Sequence, residues 1–477
     1  MNKSSSGQSY GEPALRWYQG VTPYQWWVFF VGAMAWLFDC MDQRLFTMVR
    51  SPALAQLLDL PEKSSVVVDY GTYATAATMI GWAAGGLFFG VVGDRWGRVK
   101  TLSVSILVYS LFTGLCGLAT DSWVFCLYRF LMGCGIGGAF AASATLIAET
   151  MPDHSRSTCL GLFSALSVLG NMLGLAIGSQ VFGPTTLYFV GTFGSQGIPG
   201  WRLAFFVGAL PALLIVLVLR TLRESEQWQQ ARKTASENLE RQLGDLRSMF
   251  GDRRWRTNTI VAVCMATAGI VGVWGVAFWS PELINHALTP RGGMASLPAA
   301  EAARLQAQIG DVKFWGNLFQ DIGGFLGIAF FAPISNRIGR RRTFAGAFII
   351  SFLLVAYVFL TLDSAAQAYV MLPIMGFFNL SVMGGFVIYF PEIFPTRFRS
   401  TGTAFGYNVA RLSAAVVMLA SNSIRAAIDK LGSLELLQEL QMDPFRVGAV
   451  VIASVYGLGL LALIWAPETK GRPLPED

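Results

Sequence analysis

Charge is what this chain has least of. Only 13% of its 477 residues are Asp, Glu, Lys or Arg, and the mean hydropathy is +0.50. A water-soluble domain carries roughly 25% charged residues, so a soluble fold is excluded. Histidine is almost missing: His154 and His286 are the only two, too few for a His-based metal site. The six cysteines (40, 116, 126, 134, 159 and 264) lie mostly inside apolar runs, with no paired spacing and no Cys/His cluster. They read as small buried hydrophobes rather than as ligands. No Gly-x-x-x-x-Gly-Lys-Ser/Thr loop is present, so ATP is not expected to drive anything here. No nucleophile–base pair stands out, so neither an enzyme nor a cofactor is expected. The N-terminal stretch is polar up to Trp26 and lacks a basic–apolar–small cleavage pattern, so no cleaved signal peptide is expected.

What is there instead is a series of apolar runs of about 20 residues, each long enough to cross roughly 30 Å of hydrocarbon as a helix. Twelve can be placed: 26–48, 71–92, 101–119, 123–148, 158–182, 201–220, 259–285, 314–334, 343–362, 367–390, 401–422 and 446–466. The fold class is therefore an all-α polytopic membrane protein, with the bilayer as its first partner. An even number of spans puts both termini on one side, and Lys and Arg choose which side. Of the 35 basic residues, 23 fall in the tails and in the loops after even spans. Nine fall in the other loops, with Arg202, Arg220 and Arg446 at span edges counted with the loops they adjoin, and Arg44, Arg129 and Arg411 lie deep within spans. This places both termini in the cytoplasm and the chain in a cell (inner) membrane. It also accounts for the pI near 9.0 without nucleic acid. The outer segments 48–70 and 288–313 are longer than turns and read as lids or caps. The charged stretch after Arg220 reads as a linker with an amphipathic surface helix near Ser236–Leu243.

The chain repeats itself. Gly90-Val-Val-Gly-Asp94-Arg-Trp-Gly97-Arg98-Val-Lys100 returns as Ala332-Pro-Ile-Ser-Asn336-Arg-Ile-Gly339-Arg-Arg-Arg342, 242 residues on (336 − 94). Glu149-Thr-Met-Pro152-Asp-His-Ser-Arg156 returns as Glu392-Ile-Phe-Pro395-Thr-Arg-Phe-Arg399 at 243 (392 − 149). Two motifs in the same order at one spacing mean a duplicated half. The expected organisation is a six-helix half over 1–225, a linker over 226–256 and a second six-helix half over 257–477. In such a layout the site lies at mid-membrane between the halves.

Ionisable residues within spans mark that site, because a mid-membrane charge costs on the order of 3 kcal/mol or more. Asp39 and Asp42 are three apart and share one face of span one. Asp42 lies about 22 Å from the inner edge at 1.5 Å per residue. Arg129 enters span four from outside and reaches about the same height across roughly 30 Å of core. An Asp42–Arg129 pair is therefore expected, either as a static tie or as a proton-coupling pair. A nearby cation favours the charged acid and burial favours the neutral one, so parting the two would let the acid take a proton. In span eleven Arg411 lies near mid-membrane with Asn408 one turn before it. A fixed guanidinium with a neutral donor suits a carboxylate. Arg411 could instead, or as well, pair with Asp321 of span eight. Trp274 and Phe278 of span seven, Tyr389 of span ten and Tyr407 are candidates to shape the pocket.

The Gly90–Lys100 segment resembles the loop motif of the major facilitator superfamily. So do Arg129-Phe-Leu-Met-Gly133-Cys-Gly135-Ile-Gly137-Gly138 and Pro467-Glu-Thr-Lys-Gly-Arg472, the last pointing to its sugar-porter and organic-ion branches. The resemblance spans the chain and implies alternating access without a cofactor. It implies that Asp94 and Arg98 latch one state, with Asn336 a weaker counterpart in the second half. It gives Glu149, Arg156, Glu392 and Arg399 gating roles at the inner helix ends. Asp39-Cys-Met-Asp42 is similar to the Asp-Gly-aromatic-Asp signature of aromatic-acid and sialate proton symporters, with Cys40 and Met41 departing from it. Arg411 falls where organic anion transporters keep an arginine. The Gln-Gln pair that hexose porters carry in span seven is missing from Ala266–Trp274.

The expected function is secondary transport: proton-coupled symport of a small organic anion, an aromatic or hydroxy monocarboxylate, by a monomer. Arg411, Asn408, Tyr407, Asp321, Trp274, Phe278 and Tyr389 are the expected substrate residues, and Asp42, Asp39 and Arg129 the coupling residues. The alternatives are a proton–sugar or polyol symporter and a membrane sensor of the same fold that moves nothing.

Overall fold

The computed structural model describes residues 16–61, 64–180, 199–237, 243–277, 279–290, 297–419 and 443–475. Helix α1 (Pro23–Leu58) shows how local sequence sets the elements. Thr22 caps it, its hydroxyl accepting from Gln25 N while the Gln25 side chain accepts from Thr22 N, and Pro23 pre-sets the first turn. It ends at Asp59, a non-glycine residue at φ +53°. The first half continues with α2 (Ser65–Trp96), α3 (Arg98–Cys116), α4 (Ser122–Thr150) and α5 (Asp153–Gln180). Its sixth span is α6 (Gly200–Gly208) and α7 (Ala212–Thr221), broken before Pro211. Short helices α8 (Glu226–Glu237) and α9 (Leu246–Gly251) follow. The second half is α10 (Arg253–Ala277) with α11 (Ser280–Leu288), then α12 (Ala299–Ile338), α13 (Arg340–Thr361), α14 (Ala365–Ile393), α15 (Arg399–Leu419), and α16 (Pro444–Ala453) with α17 (Tyr456–Ala462).

Ten of these units are long and apolar enough to cross a membrane. Helices α1 and α15 complete the twelve and are the ones that carry Asp39, Asp42 and Arg44, and Arg411. The fold is all-α: twelve spans in two six-helix pseudo-repeats. Large apolar side chains such as Phe88, Leu213, Val370 and Ile464 face outward, as the lipid-facing surface of a bundle requires. We call the end that carries both described termini, the Gly97 and Gly339 turns and α8–α9 the linker face.

The halves are knit by small residues. A Cβ at Gly137 would lie 2.2 Å from the Trp82 carbonyl oxygen, and one at Gly85 would lie 2.1 Å from that of Cys134, so α2 and α4 touch backbone to backbone. The second half repeats this between α12 and α14, where Gly323 and Gly327 meet the Pro373 and Phe377 carbonyls. The glycine run after Arg129 is thus a packing seam.

Two expectations change. The outer segment 48–70 is mostly a continuation of α1 and the start of α2, and 299–313 is the first part of the 40-residue α12. These are helical extensions rather than separate lids. The linker helix lies over Glu226–Glu237, earlier than Ser236–Leu243, and 238–242 lie outside the described residues. Gly90 allows a close approach between helices: a Cβ there would lie 2.7 Å from Ala404 Cβ, so it lets α15 pack on α2.

Candidate functional site

Helix α15 packs along α2, and at mid-membrane this brings Arg411 against the first half. Its guanidinium lies 3.8 Å from the Trp82 ring centroid, 4.6 Å from that of Tyr407 and 5.6 Å from that of Phe140. Nη1 donates to Asn408 Oδ1 at 2.6 Å, and Asn408 Nδ2 donates to the Ala404 carbonyl. Among the described residues no carboxylate pairs with Arg411. Trp36 extends the aromatic wall, 4.6 Å from Phe140 and 6.1 Å from Trp82 between centroids. The indole N–H groups of Trp36 and Trp82 are buried and have no acceptor among the described residues. The arrangement is a cation on a shelf of rings at the seam of the two halves, with buried donors beside it.

The sequence-expected residues divide. Asn408 and Tyr407 sit with Arg411; the Tyr407 ring also packs 4.8 Å from Phe140, and its hydroxyl meets Met383 Sδ at 3.5 Å. Asp321 does not join them: the charge that faces it is Arg44 of α1, across the seam from α12. The side chain of Arg44 leaves the Asp42 face and so reaches the other half. Tyr389 is also elsewhere. It is buried near the linker face, donating to the Pro467 carbonyl at 2.7 Å and packing on Phe344, because α14 turns that position toward the tail. The Trp274 side chain and Phe278 lie outside the described residues. Trp36, Trp82 and Phe140 were not singled out from the sequence, since an aromatic in an apolar span looks the same whether it packs or binds.

The coupling candidates lie one layer away within the first half. Arg129 Nη1 is 3.5 Å from Asp42 Oδ2, both groups fully buried. Arg129 also donates to Thr78 Oγ1 at 3.2 Å and lies over the Phe46 ring at 3.8 Å. Asp39 is fully buried, and among the described residues neither of its oxygens has a partner in good hydrogen-bond geometry. Tyr109 of α3 faces it.

At the linker face Arg98 bridges Asp94 (3.1 Å) and Glu149 (2.9 Å), all three buried. Several contacts cross between halves here, Arg98 Nη2 donating to the Thr396 carbonyl at 3.1 Å among them. Glu149 Oε1 accepts from Arg399 Nη1 at 3.1 Å, and Asp94 accepts from Thr401 N at 2.8 Å, Thr401 Oγ1 at 2.6 Å and Ser400 N at 3.2 Å. Asp94 therefore caps the first turn of α15. The second-half copy is poorer. Arg340 holds Glu392 (2.9 Å) and Asn336 (2.8 Å), while Asn336 accepts one bond across the seam, from Ser157 at 2.9 Å. Arg156 pairs with Asp153 on its own helix rather than with Glu392. The latch is unequal between the halves.

A further pair completes each latch. Glu224 accepts from Arg98 N, Val99 N and Lys100 N, capping α3, and Glu468 accepts from Arg340 N and Arg341 N, capping α13. The carboxylates lie where side chains at Gly97 (φ +109°) and Gly339 (φ +98°) would project. Ser225 and Thr469 then donate to Glu149 and Glu392. The sequence held this signal: Glu224-Ser225 and Glu468-Thr469 stand 244 apart (468 − 224). Burial works against ionised Glu468, but N–H groups from Arg340, Lys470, Arg341 and Thr469 outweigh it and hold the carboxyl below its usual range. A cavity of about 1050 Å³ opens beside this tail, lined by Arg253, Arg254, Glu392, Glu468 and Arg472 among others. It is remote from Arg411.

Comparison with known proteins identifies the family and the fold. The family described as Major Facilitator Superfamily matches residues 33–300, and that described as Sugar (and other) transporter matches 303–476. The chain is 27% identical over 463 residues to a probable 4-methylmuconolactone transporter of Cupriavidus pinatubonensis, covering 95% of this chain and 93% of that one. It is 32% identical over 345 residues to the cis,cis-muconate transport protein of Acinetobacter baylyi, covering 71% and 74%. Among solved structures it is similar to the proton:xylose symporter XylE, with a TM-score of 0.67 at 19% identity over 94% of this chain and 98% of that one. With twelve spans in two repeats, and a sequence match over more than half its length, the chain belongs to the major facilitator superfamily and is a multi-pass membrane transporter, not an enzyme.

Proposed function

We propose that the protein is a proton-coupled symporter of a small organic anion, an aromatic or hydroxy monocarboxylate, working as a monomer by alternating access. The observation that carries this is Arg411: a buried guanidinium at the seam between halves, with no carboxylate beside it among the described residues and with aromatic faces around it. A mid-membrane charge is costly unless paired, and a ligand carboxylate is the pair it lacks. Arg411 would grip that carboxylate with two parallel hydrogen bonds. Trp36 and Trp82 would offer indole N–H groups, and their ring faces would lie against a flat substrate. The names of the muconolactone and muconate relatives point to small organic acids, whereas a sugar is favoured by the family match over 303–476 and by fold likeness.

In this reading Asp42 carries the proton. Bound to Arg129 it is ionised. When closure around substrate draws Arg129 away, the acid takes a proton, and it releases it when the pair re-forms. Asp39 is the second acid on that face. Asp94, Arg98, Glu149 and Arg399 hold the linker face shut, with Arg156 and Glu392 in their own halves' latches. We assign the linker face to the cytoplasm of a cell (inner) membrane, so this arrangement is closed on the cytoplasmic side. The domain limits that follow are 1–225, 226–256 and 257–477.

The test is uptake of carboxylates into vesicles. Arg411→Ala should abolish it; uptake retained at unchanged affinity would remove Arg411 from the site.

A further inference from the structure

The buried face of α3 is unusually polar. Thr101, Ser105, Tyr109 and Thr113 are spaced four apart and so form one stripe, with Ser110 beside it. All five are fully buried, at 0–1% exposure. Among the described residues Thr101, Ser105 and Thr113 have no hydrogen-bond partner for their hydroxyls, and Tyr109 and Ser110 have only each other and Asp39 close by, outside good hydrogen-bond geometry. Buried hydroxyls in helices usually donate to the carbonyl four residues back. Ser103, on another side of the same helix, does so to Val99, as do Thr75, Thr78 and Thr343 elsewhere. No such bond is formed by the stripe hydroxyls. Buried polar groups left without protein partners are satisfied by internal water.

The stripe has defined ends. At one end a Cβ on Gly208 would lie 2.5 Å from Asp42 Oδ1 and 2.8 Å from Thr113 Cγ2, so Asp42 and Thr113 meet there. Tyr109 faces Asp39 and Asp42. Ser105 lies against Gly138 of α4 and Phe89 of α2. At the other end Thr101 lies beside Gly93, next to Asp94 of the latch. Steps of four residues rise about 6 Å, which one water spans with two hydrogen bonds of about 2.8 Å.

The duplication supplies a control. Shifted by 242, the stripe becomes Thr343, Ala347, Ser351 and Val355, half of it apolar. Thr343 is bonded to Gly339. At the same offset Asp39 and Asp42 become Pro281 and Ile284. The hydroxyl stripe accompanies the acids.

We propose that the first half contains a hydrated proton path along α3, from Asp42 and Asp39 past Thr113, Tyr109 and Ser105 to Thr101 at the linker-face latch, separate from the Arg411 seam. The inference rests on the proton-coupled reading. The protonated carboxyl gives its proton to a water. Each hydroxyl and water then accepts one proton and passes one on, so only O–H bonds break and form, and one proton leaves at the latch. The groups that face the acids are Arg129 from α4, Tyr109 and Cys116 from α3, and Asp39 and Asp42 each other. The seam's Arg411 faces Cys40. Substrate meets the seam, and the proton leaves by the interior of one half.

Two experiments test this. Radiolytic hydroxyl-radical labelling of the full-length protein marks side chains beside internal water. Tyr109 should label despite its burial, and Tyr389, whose hydroxyl is taken by Pro467, should not. Tyr109 as unreactive as Tyr389 would overturn a hydrated path. In proteoliposomes, Thr101→Val/Ser105→Ala/Thr113→Val should exchange benzoate within about two-fold of the unmodified protein. It should accumulate it under an imposed pH gradient about ten-fold more slowly. Accumulation at the unmodified rate overturns the path alone. Unmodified protein that moves benzoate without responding to the gradient overturns the coupling reading and the path with it. Should the triple variant fold poorly, Ser105→Ala and Ser105→Thr replace it: the first should slow gradient-driven uptake and the second restore it, and equal rates for both overturn the path.

Discussion

At the scale of single residues, the account turns on which buried charges have partners. Asp42 and Arg129 have each other at 3.5 Å, and this pair could be anticipated because helix rise and bilayer thickness alone put them at one height. Asp42→Asn removes the titratable group while keeping shape. Exchange of substrate across the vesicle should continue, and accumulation against a gradient under an inside-alkaline pH difference should fall to background. Radiolabelled counterflow and gradient-driven uptake measure the two separately. Asp321 shows where residue-level reading stops. Depth and polarity made it a fair partner for Arg411, but spacing along one helix says nothing about which neighbouring helix lies opposite. The fold gives it Arg44. Tyr389 fails for the related reason that a span's periodicity fixes faces only when the direction of the cavity is known.

At the scale of elements, α2 against α15 is the joint that sets the site. A Cβ at Gly86 would lie 2.1 Å from Asn408 Nδ2, so only glycine lets Asn408 reach this far into α2. Gly86→Ala should push Asn408 off the position from which it orients Arg411. Carboxylate affinity should drop about ten-fold, roughly the loss of one charge-assisted hydrogen bond, with the helical content unchanged by circular dichroism. The helix caps behave differently with pH. The folded-state pKa of Glu468 is depressed by the N–H groups it accepts from. Its contribution is therefore complete above the unfolded value of about 4.3. It is lost as pH falls through the lower folded value. Thermal stability in detergent should decline in that acid window, and Glu468→Gln should lower the plateau at neutral pH while flattening the decline. An unchanged acid limb in the variant would mean that Glu468 does not contribute to it.

At the scale of the molecule, the duplication was legible because two motifs recurred at one offset, and twelve spans were legible because hydropathy is a property of composition. The inequality between the halves was also foreseeable from Asn336 standing opposite Asp94, and the coordinates give it a form: Asp94 caps α15 across the seam, while Asn336 receives one serine hydroxyl. What could not be read was the aromatic shelf under Arg411, because Trp82 and Phe140 belong to the other half and only tertiary packing brings them there. The cross-seam pair Glu149–Arg399 ties this arrangement shut at the linker face. Glu149→Arg should open it, raising the reactivity of cysteines placed along inner α5 several-fold, and Glu149→Arg/Arg399→Glu should restore part of the protection. The central claim remains that Arg411 receives a carboxylate, and isothermal titration of the purified protein with benzoate and with benzamide tests it most directly. The account predicts that the acid binds at least ten-fold more tightly than its neutral isostere and that Arg411→Ala erases the difference. Equal binding of the two by the unmodified protein, or a preference that survives in Arg411→Ala, would contradict it.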